Sequence, residues 1–423
     1  MTAEDLLTLE EARARMLEDV LPLRAETLPL AEALGRVLAQ DVHALLTLPP
    51  WDNSAMDGYA VRSEDVAGAG PDTPVRLAVV GEVAAGHQPE TAVGPGQALR
   101  VLTGGMLPPG ADAVVKVEDT DAPAGVADLP RSVAVHASVE PGTHVRRSGS
   151  DMQRGDALLW AGTRVTPAVI AVTAAAGHAR LDVHRRPRVG VISTGDELTP
   201  VGEPLGPASI PDSNGETIAA QVRVAGGEPV RLGIAADDRE VVRERLIEGI
   251  LTADVLVVTG GVSVGAHDVV KEVFSEIGTL DLWRVAIQPG KPVAYGSARR
   301  PDGGSCLLFG LPGNPVSSFV TFELFARPVL RRLRGEEPMG GRVVVRARLA
   351  DEVTKSAARR AFIRVRLETD ADGTWRARLA GGQGSHVLSA LAAANGLAII
   401  PEGEAVAPAG TEVEVIRLDV EVA

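Results

Sequence analysis

One cysteine, Cys306, in 423 residues excludes an internal disulfide and any cysteine-based zinc site. Within SCLLFG it reads as a small apolar core residue rather than a nucleophile, because no activating partner is near it in sequence. Aromatics make up only 3% of the chain, so the cores must be built from Val, Leu, Ile and Ala. No apolar run approaches the ~18 residues of a membrane span. The N-terminus, MTAEDLLTLEEARARMLEDV, carries acids where a signal peptide needs basic and then apolar residues. A soluble, cytoplasmic protein is therefore expected. Positive charge is also short. With 42 Lys and Arg against 56 Asp and Glu, the formal net charge is −14, which argues against a general nucleic-acid binder. An anionic ligand would need local Arg and Lys, or a bound cation, to offset that field. No internal repeat and no disordered tail is visible.

What the chain does have is length and alternation. Its length implies roughly two to four domains. Residues 8–20 predict an amphipathic helix, with Thr8 and Glu11 as a capping box and Leu9, Ala12, Met16 and Val20 on one face. A second short helix is expected near 31–40. From about 45 to 150, short β-like runs (VRLAVV, QALRVL, DAVVKV) broken by Pro and Gly predict a β-rich module inserted after the N-terminal helices. Over 187–334 strands and helices alternate: RVGVIS, PVRLGIA, DVLVVT, LWRVAI and SCLLFGL against four helices. Ser213 and Glu216 fit a capping box, acids open DDREVVRERLIEGI, DVVKEVFSEIG follows DVLVVT, and Pro315 sits in the first turn of NPVSSFVTFELF. That alternation predicts an open, doubly wound, mostly parallel sheet. After Pro338 period two returns (RVVVRARL, AFIRVRLE, WRARLA), giving a C-terminal β domain. The fold class is α/β plus β.

In a doubly wound sheet, ligands bind outside the carboxyl ends of the strands. Four strand exits carry polar residues there: 193–197, Asp237-Asp238, 259–268 and 311–315. The third, VVTGGVSVGAHD, lacks the second Gly of a dinucleotide fingerprint (Val262) and the Lys of a Walker loop (Ala266). It offers Gly260, Gly261, Ser263 and Gly265 as an anion cradle, and then Asp268. Spacing alone makes Asp268 a helix cap. The alternative is that Asp268, Asp237 and Glu197 converge as hard oxygen ligands for magnesium beside a phosphate. In the fourth exit, Pro312, Gly313 and Asn314 shape the last loop. QPGKP supplies Gln288, Gly290 and Lys291, with Arg284 and Lys271 nearby, as positive counterparts for an anion or as solvated surface charges. In the insert, PPWDNSAMDGYAV packs Asp52, Asn53, Ser54 and Asp57 into six residues, which turn chemistry alone explains. Thr103 enters the loop LTGGMLPPGADAVV, and HVRRSGSD brings Arg146, Arg147 and Asp151.

Taken together, WDNSAMDGYAV, LTGGMLPPGADAVV, THVRRSGSDM, VISTGDEL, PDSN, VVTGGVSVGAHD, VAIQPGKP, FGLPGNPVSS, AFIRVRL, GSHVLSALAAANGL and IIP closely resemble the molybdopterin molybdenumtransferases, related to the E domain of gephyrin. They occur in that family's order over nearly the whole chain. The resemblance implies four parts. Residues 1–45 with 146–186 would form an elongated linker domain and 46–145 the inserted β-rich domain. Residues 187–334 would form the molybdopterin-binding α/β domain and 339–423 a C-terminal β-barrel-like domain. It also implies a homodimer, with the site between the α/β domain of one subunit and the insert of the other. The implied reaction takes adenylylated molybdopterin and molybdate with Mg2+, inserts molybdenum at the dithiolene and releases AMP. Neither nucleic acid nor membrane enters it, and contacts with other cofactor-biosynthesis proteins are compatible with it.

Carried over position by position, Asp57, Glu197, Asp237 and Asp268 match the family's functional acids, and Thr103 a functional threonine of the insert. Arg146 and Asp151 match the linker motif, and Arg364 and Ser385 polar positions of the C-terminal domain. There are three departures. Arg284 and Gln288 replace lysines common in the family, and Ser150 stands where an acid is common. Arg284 keeps the charge and Gln288 loses it. Two other functions compete: an adenylyltransferase or nucleotide pyrophosphatase using the same α/β domain, and a non-catalytic pterin carrier or scaffold.

Overall fold

A computed structural model describes residues 6–123, 128–261, 269–370 and 373–421. The capping box forms as the sequence predicts. Thr8 Oγ1 accepts from the Glu11 amide (3.2 Å) and the Glu11 carboxylate accepts from the Thr8 amide (2.8 Å), starting the helix Leu9–Leu17. Its apolar face, Leu9, Ala12 and Met16, packs with Val20 into one core with Val285, Phe322 and Leu330 of the α/β domain. The linker pairing begins later. Ala25–Pro29 runs antiparallel to Arg180–His184, and Val42–His43 antiparallel to Ala157–Leu159. The helix expected near 31–40 shrinks to the single turn Leu30–Ala33. Leu34 leaves the helical region, Gly35 takes a left-handed φ of +74°, and Val37 and Leu38 then bridge Arg164 and Val183 as extended chain.

Between the linker's two passes the chain departs and returns through a neck, where Asn53–Ser54 pairs with Val145–Arg146. Beyond it lies a five-stranded sheet in the order Ala113–Lys116, Gly58–Val61, Gln97–Val101, Val75–Val83, Ser132–Val135. Alternate residues such as Tyr59, Val61, Leu77, Val115 and Val133 fill its core.

The α/β sheet has the strand order Glu228–Ala235, Arg188–Thr194, Val255–Thr259, Ser305–Leu311, Pro292–Arg299, Thr279–Arg284. The first four strands are parallel, and Pro292–Arg299 runs antiparallel to both of its neighbours, Ser305–Leu311 and Thr279–Arg284. Pro292–Arg299 was not anticipated: the QPGKP turn sends the chain straight back along its predecessor. The helix Ser213–Val224 is capped by Asp212, not by the expected Ser213. The Asp212 carboxylate is nearly fully buried and accepts from the Gly215 amide (2.9 Å), while Glu216 pairs with Arg231 (2.6 Å) instead of closing a capping box. The helix Pro315–Thr321 continues through one π turn, Phe322–Ala326, into Arg327–Leu333. Pro328 explains the turn, since it has no N–H for the Leu324 carbonyl. That carbonyl accepts from Arg13 of the first helix instead (2.8 Å).

The C-terminal sheet has the order Ile287–Gln288, Arg360–Thr369, Trp375–Leu379, Arg342–Leu349, Glu412–Glu421, Gly396–Ile400. Its second strand also pairs with its last, so the sheet closes on itself. Ile287–Gln288 comes from the α/β segment and binds parallel to Arg360–Ala361, joining the two domains beside QPGKP. Among the described residues no helix is long and apolar enough to cross a membrane.

Candidate functional site

A cavity of about 1170 Å³ opens at the carboxyl ends of the parallel strands. All four predicted strand exits contribute to it: Glu197, Asp237, Gly260 with Gly261, and Pro312, Gly313 and Asn314. The paired glycines have a steric cause. Gly260 and Gly261 sit at φ +88° and +61°; a Cβ on Gly260 would lie 2.5 Å from the Thr194 carbonyl oxygen, and one on Gly261 2.6 Å from Val270. The 311–315 loop packs backbone to backbone on Gly260, the Asn214 amide donates to the Gly313 carbonyl (2.7 Å), and the Ser318 hydroxyl donates to the Pro312 carbonyl. Behind this wall a buried chain runs from the Thr259 hydroxyl to Ser193 (3.3 Å) and from Ser193 to the Asp212 carboxylate (2.7 Å). The cap that starts the helix thus also fixes the first strand exit.

Acids crowd one end of the cleft. Asp196 accepts from the Asp237 amide (3.0 Å), and the Glu197 carboxylate lies over Gly195, which has φ +146°. Partial desolvation, with the charges of Asp196 and Glu197, pushes Asp237 above the ordinary carboxylate range. Asp268, Ser263 and Gly265 lie outside the described residues. Among the described residues no group of three or more His, Cys, Asp or Glu side chains is placed to hold an ion. Among them, too, no Lys or Arg lines this cleft. Lys271 is exposed on the helix just past cleft-lining Val270; Arg284 ends its strand opposite Pro292; Lys291 lies between Gly290 and Pro292, which do line it.

A second cavity, about 420 Å³, lies between the α/β and C-terminal domains. Gln288, Arg359 and Ser385 line it, and Gly290 and Ser317 line both it and the cleft. The Val316 amide donates to the Ser385 carbonyl (3.0 Å), docking the C-terminal loop on the helix that follows LPGNP. Arg364 is not on that wall but fully buried behind it. Its guanidinium donates to the carbonyls of Gly382 (2.8 Å) and Gly384 (3.0 Å), its Nε has no partner, and burial lowers its pKa.

Asp57 and Thr103 lie elsewhere, on a third cavity of about 810 Å³ in the insert. Asp57 Oδ1 accepts from both the hydroxyl (2.7 Å) and the amide (2.6 Å) of Thr103, and these two bonds hold its carboxyl below the usual range. At the neck, buried Ser54 donates to the Met56 carbonyl (2.5 Å) and its backbone bonds to Gly104 and Gly105, bracing the Asp57 turn against the Thr103 loop. Asn53 is buried with Oδ1 unpartnered; Arg146, its strand partner, is exposed, as is Asp151. These four neck residues line none of the three cavities. Sequence reasoning overlooked three cavity-lining residues: Asn214, Arg359 and His386. The segments PDSN and GSHVLS contained two of them, but nothing in spacing separates Asn214 from an ordinary first-turn residue.

Three family descriptions match in chain order: "MoeA N-terminal region (domain I and II)" over residues 7–177, "Probable molybdopterin binding domain" over 190–332, and "MoeA C-terminal region (domain IV)" over 346–418. A protein of Mycobacterium tuberculosis named molybdopterin molybdenumtransferase 2 is 41% identical over 414 residues, covering 96% of this chain and 98% of that protein. One from Nostoc sp. named molybdopterin molybdenumtransferase is 39% identical, covering 93% of this chain and 89% of its own. A solved structure of a molybdopterin biosynthesis MoeA protein from Pyrococcus horikoshii superposes with a TM-score of 0.83 at 34% identity, covering 98% of this chain and 99% of that one. With the cleft, the insert and the closed C-terminal sheet all in that arrangement, the chain belongs to the molybdopterin molybdenumtransferase family.

Proposed function

We propose that this chain inserts molybdenum from molybdate into adenylylated molybdopterin and releases AMP with the help of Mg2+. The observation that carries this reading is the glycine-walled cleft of about 1170 Å³ with Glu197 and Asp237 at its edge, in a chain similar over its whole length to molybdenumtransferases. Its backbone cradle and helix N-termini suit phosphates. The substrate's dithiolene supplies the soft sulfur ligands for molybdenum. The protein need not supply any. Its one thiol, Cys306, is buried and pushed up to about 12, so it offers no thiolate.

The donor set fits magnesium chemically. Glu197 and Asp237 are hard carboxylates whose crowding a divalent cation relieves. Two protein carboxylates leave room for phosphate oxygens and water in the remaining positions. Bound there, the ion would neutralise charge on the phosphates. The chain's own residues do the rest. Asn214 and the Ser193–Asp212 pair keep the cradle in shape, and Ser317 and Gly290 open it toward the smaller cavity, which suits molybdate as second substrate. Asp57 and Thr103 line a separate cavity, so a site that uses them with Glu197 and Asp237 is built from two copies. The exposed Leu45, Leu46, Trp51 and Trp160 of the linker and neck offer apolar surface for such a homodimer.

The test supplies purified protein with adenylylated molybdopterin, Mg2+ and molybdate, then passes the product to a cofactor-free molybdoenzyme. Activation is expected with the wild type and not with Asp57→Ala or Asp237→Ala. Full activation by both variants would instead mark a passive carrier.

A further inference from the structure

The cavity of about 810 Å³ in the insert holds a buried polar group that the fold does not use. Tyr59 lines it from the strand Gly58–Val61 and is only 1% exposed, sharing the domain core with Leu77 and Val133. Among the described residues its hydroxyl has no hydrogen-bond partner. A buried phenol usually finds one. Burial pushes its pKa up, so the hydroxyl keeps its proton and stays a donor.

The carboxylates lining the same cavity are not equivalent. Asp121 accepts from the Ala134 amide (2.7 Å) and from Arg76 (3.2 Å), and Glu82 is paired with Arg100. Glu118 has no partner among the described residues. It sits on the turn Val117–Asp119, whose first amide donates to the Asp57 carbonyl (3.0 Å). Glu118 and Tyr59 are thus held on neighbouring strands that pass very close. A Cβ on Gly58 would lie 2.0 Å from the Val115 carbonyl oxygen. Leu102 and Val117 give the cavity an apolar surface as well.

A free carboxylate and a buried hydroxyl donor in one partly apolar cavity match a flat ring with two N–H donors beside a carbonyl. A 2-amino-4-oxopyrimidine has that edge. Its N3–H and 2-amino group donate to the two oxygens of one carboxylate, and its 4-oxo oxygen accepts from the phenol. A phosphate does not suit the cavity, because its acids outnumber Arg100, which is already paired with Glu82. We propose that the insert binds the aminopyrimidinone edge of the pterin here, with Glu118 accepting from its N–H groups and Tyr59 donating to its carbonyl. This rests on the reaction proposed above, in which adenylylated molybdopterin is the substrate. The insert would then hold the ring beside Asp57 and Thr103, while the α/β cleft takes the phosphates.

The test titrates the full chain with 6-methylpterin, read by its fluorescence anisotropy, and with 6-methyllumazine, which has an oxygen in place of the 2-amino group. The pterin is expected to bind at least about tenfold more tightly than the lumazine, whose oxygen would face the Glu118 carboxylate. Tyr59→Phe keeps the core ring and is expected to weaken pterin binding by about threefold to tenfold. Glu118→Gln, on an exposed turn, is expected to weaken it by about tenfold or more. In AMP release, Glu118→Gln should raise the KM for adenylylated molybdopterin by a similar factor and leave that for molybdate within about twofold. Equal binding of pterin and lumazine, or pterin binding unchanged in both variants, would overturn the inference. Guanosine carries the same edge, and its binding more tightly than 6-methylpterin would overturn the assignment to the substrate's pterin. AMP release indifferent to molybdate would overturn the proposed reaction instead, and the pterin titration would still judge the cavity.

Discussion

Two carboxyls show opposite physical environments, and each makes its own prediction. Partial desolvation and like charge raise Asp237, so the fold favours its protonated form. The stability tied to that proton is complete below the ordinary carboxylate pKa and is lost as pH rises through the raised value. Asp237→Asn should therefore raise the Tm at pH 7 by on the order of 1 °C, and not at pH 3, while lowering turnover about tenfold or more. Differential scanning calorimetry at both pH values, with the AMP assay, checks the pair of effects. Asp57 is the reverse case: two donors from Thr103 lower it, so the stability linked to it is present above the ordinary pKa and lost as pH falls through the lowered one. Thr103→Val should shift the Asp57 carboxyl upward in an NMR titration, because one of those donors is gone. Asp237 was legible in the sequence from its place at a strand exit of a doubly wound sheet, and Asp57 only through the family resemblance. By spacing, Asp57 is a turn residue and Asp268 a helix cap; what distinguishes a functional carboxyl is its neighbours in space, which spacing does not carry.

At the level of elements, the cleft depends on backbone geometry that two substitutions probe. Gly260 and Gly303 both have left-handed φ, but only at Gly260 would a Cβ meet a carbonyl oxygen; nothing lies within 4 Å at Gly303. Gly260→Ala should cost about 1–3 kcal/mol and Gly303→Ala about 1 kcal/mol, read from urea melts. Asp212→Ala removes the acceptor for both the Gly215 amide and the Ser193 hydroxyl. It should cost about 1–3 kcal/mol, with Ser213→Ala near neutral. Periodicity made the strands and helices of this domain readable, because a parallel sheet needs continuous apolar runs and the covering helices a 3.6-residue stripe. It misplaced the cap by one residue, since Asp and Ser are both good caps and only burial against Ser193 decides between them. It overextended the helix near 31–40, where long-range pairing of Val37 and Leu38 outweighs local helix preference. The strand Pro292–Arg299 escaped notice because it opens with Pro and holds Gly296, both poor strand formers, yet Gly296 is needed where Thr279 of the facing strand comes close.

At the scale of the whole molecule, one chain presents its candidate site residues on separate surfaces. Glu197 and Asp237 line the cleft; Asp57 and Thr103 line a cavity in the insert. No sequence spacing could say whether two such surfaces act together. If two copies build each site, Asp57→Ala and Asp237→Ala proteins, each inactive, should recover about a quarter of wild-type activity when refolded together, since mixed dimers hold one intact site. No recovery would mean that each chain works alone. The most direct measurement of the proposed chemistry is AMP release from adenylylated molybdopterin by the purified protein with Mg2+, in the presence and absence of molybdate. Release that rises steeply with molybdate and falls away when Mg2+ is chelated is the expected result. Release at the same rate without molybdate would contradict it and make the protein a pyrophosphatase.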